Sequence, residues 1–468
     1  MALIPFGFVL LLGKLLQLSN GEYRRDFLIE LILIWGFTIV LLLRTQPLSV
    51  PWSGRRFRSS VLPQLVAVGC LYFSIELWRT PLVEFNESPL SYQAIRGLLF
   101  LVAGCVAWLT WLVFSRKGVG RLFAVLCGVA TLACLMVRVL VVAFSPHPFI
   151  DCFTISSEAA AQLLAGLNPY AQQYVDIYHG AYHSPYPPGF NYWPGVLYVQ
   201  TLCHWLLGDH RYAFVLSDLA TALGLFRLAK RLALPPALRG LLPLCWLCFP
   251  VGLHVLELSW KDPLLVASAV WCVVLLLDRR WWSAGALLGF FCGCKQYSVL
   301  FALLYVLALW RRGGSRGVLQ CSVAAAAVLA LLVGPFVIAD SAAFYLNTIQ
   351  LLIDVPLRSD ALSIPAAMVR EQLGQVPSWL MALSYVVLWA VGGLWVIRRH
   401  GSLYALGSSL LLVYGGTFLM GKQAFCNYYY LLASFALLAM LGCWETAESP
   451  TSRLPTSRLP SADPSGAP

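Results

Sequence analysis

Residues 144–194 read FSPHPFIDCFTISSEAAAQLLAGLNPYAQQYVDIYHGAYHSPYPPGFNYWP. An apolar run leads into this stretch and another follows it. The stretch itself is crowded with Pro, Tyr and His, carries a few carboxylates and contains no Lys or Arg. A polar, cation-free interruption between apolar runs is what a loop between membrane spans looks like on the side that positive charge avoids.

The rest of the chain agrees. Of 468 residues, 59% are hydrophobic and 11% charged, and mean hydropathy is +0.75, far from the roughly half-apolar, quarter-charged mixture of soluble domains. Apolar runs of about 20 residues recur, the length a helix needs to cross a hydrocarbon core about 30 Å thick. A β-barrel would show short alternating strands instead. The first run, LIPFGFVLLLGKLLQL, lacks a small-residue cleavage site and reads as a retained helix. The fold class is therefore an all-α polytopic membrane protein with about 13–14 transmembrane helices.

The net charge of +11 does not point to nucleic acid, because the basic residues are dispersed among the loops. They cluster at Arg55, Arg56 and Arg58, at Arg116, Lys117 and Arg121, at Arg227, Lys230, Arg231 and Arg239, at Arg279 and Arg280, at Arg311, Arg312 and Arg316, and at Arg398 and Arg399. Treating these as cytoplasmic ends gives spans near 4–19, 27–43, 61–78, 95–114, 121–144, 211–231, 240–257, 263–279, a split pair within 283–310, then 318–338, 378–397, 401–420 and 427–444. The segment VLYVQTLCHWLLG then lies along the outer surface without crossing. Arg24 and Arg25, on the outer side, fit this scheme poorly. Residues 1–120 form an N-terminal helical block, 121–445 a second module with outer loops 145–210 and 339–377, and 446–468 a Pro- and Ser-rich tail expected to be disordered.

Ionisable residues beside a bilayer are functional candidates by default. Asp151, held between Pro148 and the amphipathic segment SSEAAAQLLAGLNPY, can take a proton from an attacking hydroxyl or cap the next turn. Glu158 is the rival base. Lys295, between two apolar half-spans in GCKQYSVLF, needs a counter-charge, and a lipid-linked phosphate would supply one, although snorkelling is the plainer alternative. Arg358 and Asp360 can bind phosphate and hydroxyls or pair with one another. Lys422, Asn427, Tyr428 and Tyr429 stand at the start of the final helix, and ELSWKDP brings Glu257, Lys261 and Asp262 to a further outer turn. Fourteen Cys, including CWLC at Cys245 and Cys248, read as core packing. No HExxH or Walker loop occurs and HGAYH is broken by Gly180, so neither a metal nor another cofactor is expected.

With these residues assembled, the chain resembles the GT-C membrane glycosyltransferases, most closely the bacterial polyprenol-phosphate-mannose-dependent mannosyltransferases. The ordered series FIDCFTISSEAAAQLLAGLNPY, YPPGFNYWP, ELSWKDPLLV, AGALLGFFCGCKQYSVLF, LRSDALSIP and GKQAFCNYYY carries the resemblance over roughly residues 140 to 445. It implies a sugar donor on a polyprenyl phosphate, a lipid or glycan acceptor, and transfer with inversion at the outer face of a bacterial inner membrane. Asp151 would be the base, with Glu158 or Asp262 as a second acidic residue. Lys295, Gln296, Arg358, Asp360, Lys422 and Asn427 would hold donor phosphate and sugar, and Tyr170 and Tyr186 would stack on sugar rings. A transporter or flippase and an inactive scaffold remain open alternatives; a halves-level repeat, the mark of many transporters, is not evident.

Overall fold

The computed structural model describes residues 1–44, 61–115, 120–180 and 188–445. Helix accounts for 77% of it, with no strand among the described residues, which rules for the helical reading and against a barrel. Eighteen α-helices occur among these residues. In order, α1 is Leu3–Ser19, α2 Arg25–Arg44, α3 Leu62–Arg79, α4 Pro89–Phe114, α5 Arg121–Phe144 and α6 Asp151–Leu164. Then come α7 Pro194–Leu207, α8 Tyr212–Arg231, α9 Pro236–Leu247, α10 Gly252–Glu257, α11 Asp262–Leu277 and α12 Trp281–Cys292. The last are α13 Ser298–Tyr345, α14 Leu351–Asp354, α15 Ile364–Arg370, α16 Ser378–Arg398, α17 Leu403–Leu419 and α18 Cys426–Gly442.

Local chemistry sets many boundaries. Proline stands in the first turn of α3, α4, α7, α9, α11 and α15, where its missing N–H leaves no intrahelical bond unmade. Among the described residues six helices, α2, α4, α5, α8, α13 and α16, are long and apolar enough to cross a membrane, and α1, α11, α12, α17 and α18 are shorter apolar helices. The span expected at 240–257 is instead divided into α9 and α10. Pro250 supplies the reason: it cannot donate to a helical ladder and pushes Phe249 away from helical backbone angles. The split pair expected within 283–310 is present as α12 and the first arm of α13, which itself bends at Gly314 (φ 62, ψ −167).

Loop contacts sort the helices into two ends. At one, Tyr23 N–H donates to Asp360 O (2.8 Å), Leu362 N–H to Ala424 O (2.9 Å) and Trp193 N–H to Cys294 O (3.3 Å). At the other, Arg227 pairs with Asp278 (2.7 Å) and Arg312 with Glu445 (2.5 Å). The second end is the basic one. Arg24 belongs to the first end, where it pairs with its own near neighbour Asp26 (2.6 Å). Both ends of α7 also lie there: Gly195 N–H reaches Gly293 O (2.6 Å), and Arg211, just beyond α7, donates to Ser145 O (2.8 Å). The helix therefore starts and finishes on one side of the bundle, as read for VLYVQTLCHWLLG.

The N-terminal helices share the main core with α18 and α17. Gly21 shows how tightly: a Cβ there would lie 2.0 Å from the Cys426 amide nitrogen. Deep between α5, α8, α9 and α18, Arg138 donates Nε–H to Asp218 (2.7 Å) and its Nη atoms to Cys134 O and Leu247 O. Trp246 and Tyr430 also donate to Asp218. Every charge in this cluster has a partner, the condition for burying it at all. The expected tail, 446–468, lies outside the described residues.

Candidate active site

Five segments meet at the end opposite the basic clusters: the start of α6, residues 188–193, the turn 258–261, the turn 293–297 and the start of α18. Asp262 is fully buried at the first position of α11, where the exposed amides of a helix start favour a carboxylate. Its oxygens accept from Lys295 Nζ (3.2 and 3.3 Å), from Asn427 Nδ2 (2.8 Å) and from the Tyr297 hydroxyl. Lys295, only 7% exposed, faces the rings of Tyr297 and Tyr428 with Nζ 4.7 and 4.8 Å from their centroids. Aromatic faces and a carboxylate together make a buried ammonium tolerable.

A second ammonium stands beside it. Lys261 is 1% exposed, donates to Cys152 O (2.9 Å) and Ser259 O (2.7 Å), and lies 4.5 Å over the Tyr192 ring. That ring is 6.0 Å from Lys295 Nζ. No ion pair to Lys261 occurs among the described residues, and burial pushes its ammonium down to about 8. Two cations thus share one tyrosine while a single buried carboxylate offsets one of them. Asp151 acts on Lys261 at longer range without an ion pair, so the Lys261 ammonium lies within reach of an anion without being locked to a carboxylate.

Asp151 adjoins this charge through the chain. It opens α6 half-buried; its Oδ1 accepts the Cys152 N–H (2.6 Å) and its own N–H donates to Tyr178 Oη (3.3 Å). The Cys152 carbonyl is the acceptor for Lys261, and its thiol lies 3.2 Å from Tyr192 Oη. Burial, reinforced by Asp151, pushes that thiol up to about 11, so it stays protonated. Ser259, held at φ 58, links Lys261 to the buried His210, whose Nε2 is 2.7 Å from Ser259 Oγ. Burial first, then Lys261 and Arg211, hold His210 well below its ordinary range, leaving a neutral ring.

The other sequence candidates separate. Asn427 joins the site through Asp262. Gln296 ties the turn that holds Lys295 to its neighbours, donating to Asn191 O (2.7 Å) and Thr348 O (2.9 Å). Glu158, two turns along α6, is raised by burial against an opposing bond from the Val175 amide. Glu257 is spent on the amides of Glu84 and Phe85 and the Ser145 hydroxyl, so Asp262 is the acid facing the lysines. Arg358 and Asp360 form a two-pronged pair (2.8 and 2.6 Å); burial would raise Asp360, but Arg358 overrides it and holds the carboxyl low. Lys422 caps the carbonyls of Ile353 (2.7 Å) and Val355 (3.4 Å).

Tyr170 requires a correction. It is 1% exposed, enclosed by Phe190, Phe336 and Phe344, with its hydroxyl donated to Tyr192 O (2.8 Å). Its faces are taken by other rings, so it supports Tyr192 and offers no sugar platform. Tyr186 lies outside the described residues. In sequence Lys261 is one charge of a charged turn with no role of its own, and nothing marks Tyr192 out inside YPPGFNYWP. A lysine directly before an Asp-Pro helix start was the available signal.

The comparison with known families supplies the class: the chain is similar to a glycosyltransferase family, consistent with a GT-C-type membrane glycosyltransferase. The model that matches is that of glycosyltransferase family 87, over residues 190–421, just under half of the chain. The match includes Tyr192, Lys261, Asp262 and Lys295 and begins after Asp151. No curated protein and no solved structure matches the chain.

Proposed function

We propose that the protein transfers a sugar, with mannose the one the family resemblance implies, from a polyprenyl-phosphate donor to a lipid or glycan acceptor with inversion. Lys261 and Lys295 hold the donor phosphate, and Asp151 is the base. The Asp151 carboxylate takes the acceptor hydroxyl proton, the oxygen bonds to the anomeric carbon from the opposite face, and the bond to phosphate breaks with its electron pair leaving on the polyprenyl phosphate. The reaction needs no other reactant. Arg358, Asp360 and Lys422, in a neighbouring loop cluster, are further candidates for the donor phosphate and sugar, and Glu158 is the alternative base. The site opens on the non-cytoplasmic face of a bacterial inner membrane, away from the basic end.

The observation that carries this reading is the pair of buried ammoniums on Tyr192, joined to Asp151 by Cys152. An open apolar groove of about 590 Å³ supports it, bounded by Ala220 on α8, Ala267, Trp271 and Leu275 on α11, and Ala286 and Phe290 on α12. Asp262 opens α11 and Lys295 lies in the turn that follows α12, so a prenyl chain in this groove would run away from a phosphate held there. The test incubates purified full-length protein with polyprenyl-phosphate sugars and a membrane-lipid and glycan extract, comparing wild type with Asp151→Asn and Lys261→Met. Loss of product in folded variants supports the assignment. Full activity in Asp151→Asn rejects that base in favour of Glu158, and absence of product with every donor rejects the donor class.

A further inference from the structure

Independently of the transfer reaction, we propose that a polar cleft at the basic end of the bundle binds the phosphodiester head group of an anionic membrane lipid. The cleft, about 270 Å³, is lined by Trp281, Gly313, Arg316, Gly317 and Gln320. It exists because of a backbone event. Gly314, at φ 62 and ψ −167, occupies a region open essentially to glycine alone, and there α13 turns from its first arm into its second. The Trp281 indole lies across the bend: a Cβ on Gly313 would be 2.9 Å from the ring and one on Gly317 3.4 Å.

Arg316 and Gln320 stand one turn apart on the second arm and share a face. Neither side chain has a hydrogen bond or ion pair among the described residues, and the same holds for the Trp281 Nε1–H. Three residues with donor groups therefore line one space, and no described residue accepts from those groups. The surrounding charge has one sign. Asp278 is taken by Arg227 and Arg231, and Glu445 by Arg312 and the Leu403 amide. Arg279, Arg280, Arg316 and Arg398 have no ion pair among the described residues.

A lipid fits better than a soluble anion because of what borders the cleft. Leu319 and Val323 follow on the same arm at 65% and 48% exposure, an apolar surface beside which acyl chains would lie, and Trp281 marks the depth at which tryptophan favours the membrane–water boundary. A guanidinium there meets a phosphodiester at the level where basic residues near a membrane attract anionic lipid. Residues 313–317, GGSRG, also have the spacing of a nucleophile elbow, but Ser315 sits between two helical arms with no His or carboxylate bonded to it among the described residues, so hydrolytic chemistry is not inferred.

The test is native mass spectrometry of the full-length protein released from micelles containing equal phosphatidylglycerol and phosphatidylcholine. Wild type is expected to retain phosphatidylglycerol selectively. Arg316→Gln should cut retention about fivefold, Gly317→Val should do the same by filling the cleft without changing charge, and Arg316→Lys should restore part of it. Arg398→Gln, exposed at the same end, should leave retention near wild type. Equal losses in Arg316→Gln and Arg398→Gln, or no loss in Arg316→Gln, would overturn the site in favour of a diffuse field. Displacement of the lipid by millimolar inorganic phosphate would overturn the lipid as occupant and leave a free phosphate site.

Discussion

Lys261 is the residue whose chemistry is most exposed to measurement. Its ammonium is pushed down to about 8 by burial, below the ordinary lysine value, so charging it costs stability. That cost is complete below pH 8 and is relieved as pH rises from about 8 toward the unfolded lysine range. Anion binding runs the other way: only the protonated form holds a phosphate, so donor affinity should be full below pH 8 and fall about tenfold per pH unit above it. The donor KM measured from pH 6.5 to 9.5 should show this rise, and Lys261→Arg, which stays charged, should flatten it. A second prediction concerns Arg138 and Asp218. Removing either partner strands a buried charge, with an expected loss of about 3–5 kcal/mol. Replacing both with leucine should cost less than either single change, as read from melting in detergent. These two buried cations differ in purpose: Arg138 has all its donors met inside the bundle, whereas Lys261 leans on carbonyls and an aromatic face.

At the scale of the element, α12 decides where Lys295 sits. Gly285 and Gly289 are four residues apart on the face toward the second arm of α13. A Cβ on them would lie 2.1 Å from Cys321 O and 2.3 Å from Ala325 O. Such close backbone approach is how small residues let helices pack where lipid removes the hydrophobic drive. Gly289→Val should therefore separate the two helices, cost about 1–3 kcal/mol and, by displacing the turn that holds Lys295, lower kcat/KM for transfer at least tenfold. Gly36→Val on α2, where a Cβ meets nothing within 4 Å, should leave both melting and activity unchanged. The spacing of these glycines is visible in the sequence. What it packs against is not, because a glycine stripe names no partner. The division of α9 from α10 was likewise encoded by Pro250, yet an apolar run reads as one span until the backbone bonds are counted.

At the scale of the molecule, charge orders the structure. The basic clusters that fall on described residues gather at one end, while Asp151, Asp262, Arg358 and Lys422 gather at the other. If the basic end faces the cytoplasm, an alkaline phosphatase domain inserted after Leu373 should be active in bacterial cells and one inserted after His400 should not; the reverse pattern would invert the proposed orientation.

The sequence by itself determined the helical class, the apolar character of the membrane helices, and the set of polar residues between them. Those follow from hydrocarbon thickness and the cost of burying charge, both of which act along the chain. The tertiary structure alone decided which polar residues meet. Lys295 reaches Asp262 across 33 positions and Asn427 reaches it across 165, while Arg358, equally plausible in sequence, closes on Asp360 two residues away. It also exchanged Tyr170 for Tyr192 as the aromatic face at the site, since two tyrosines in one loop are alike until packing buries one ring among phenylalanines and sets the other between two ammoniums.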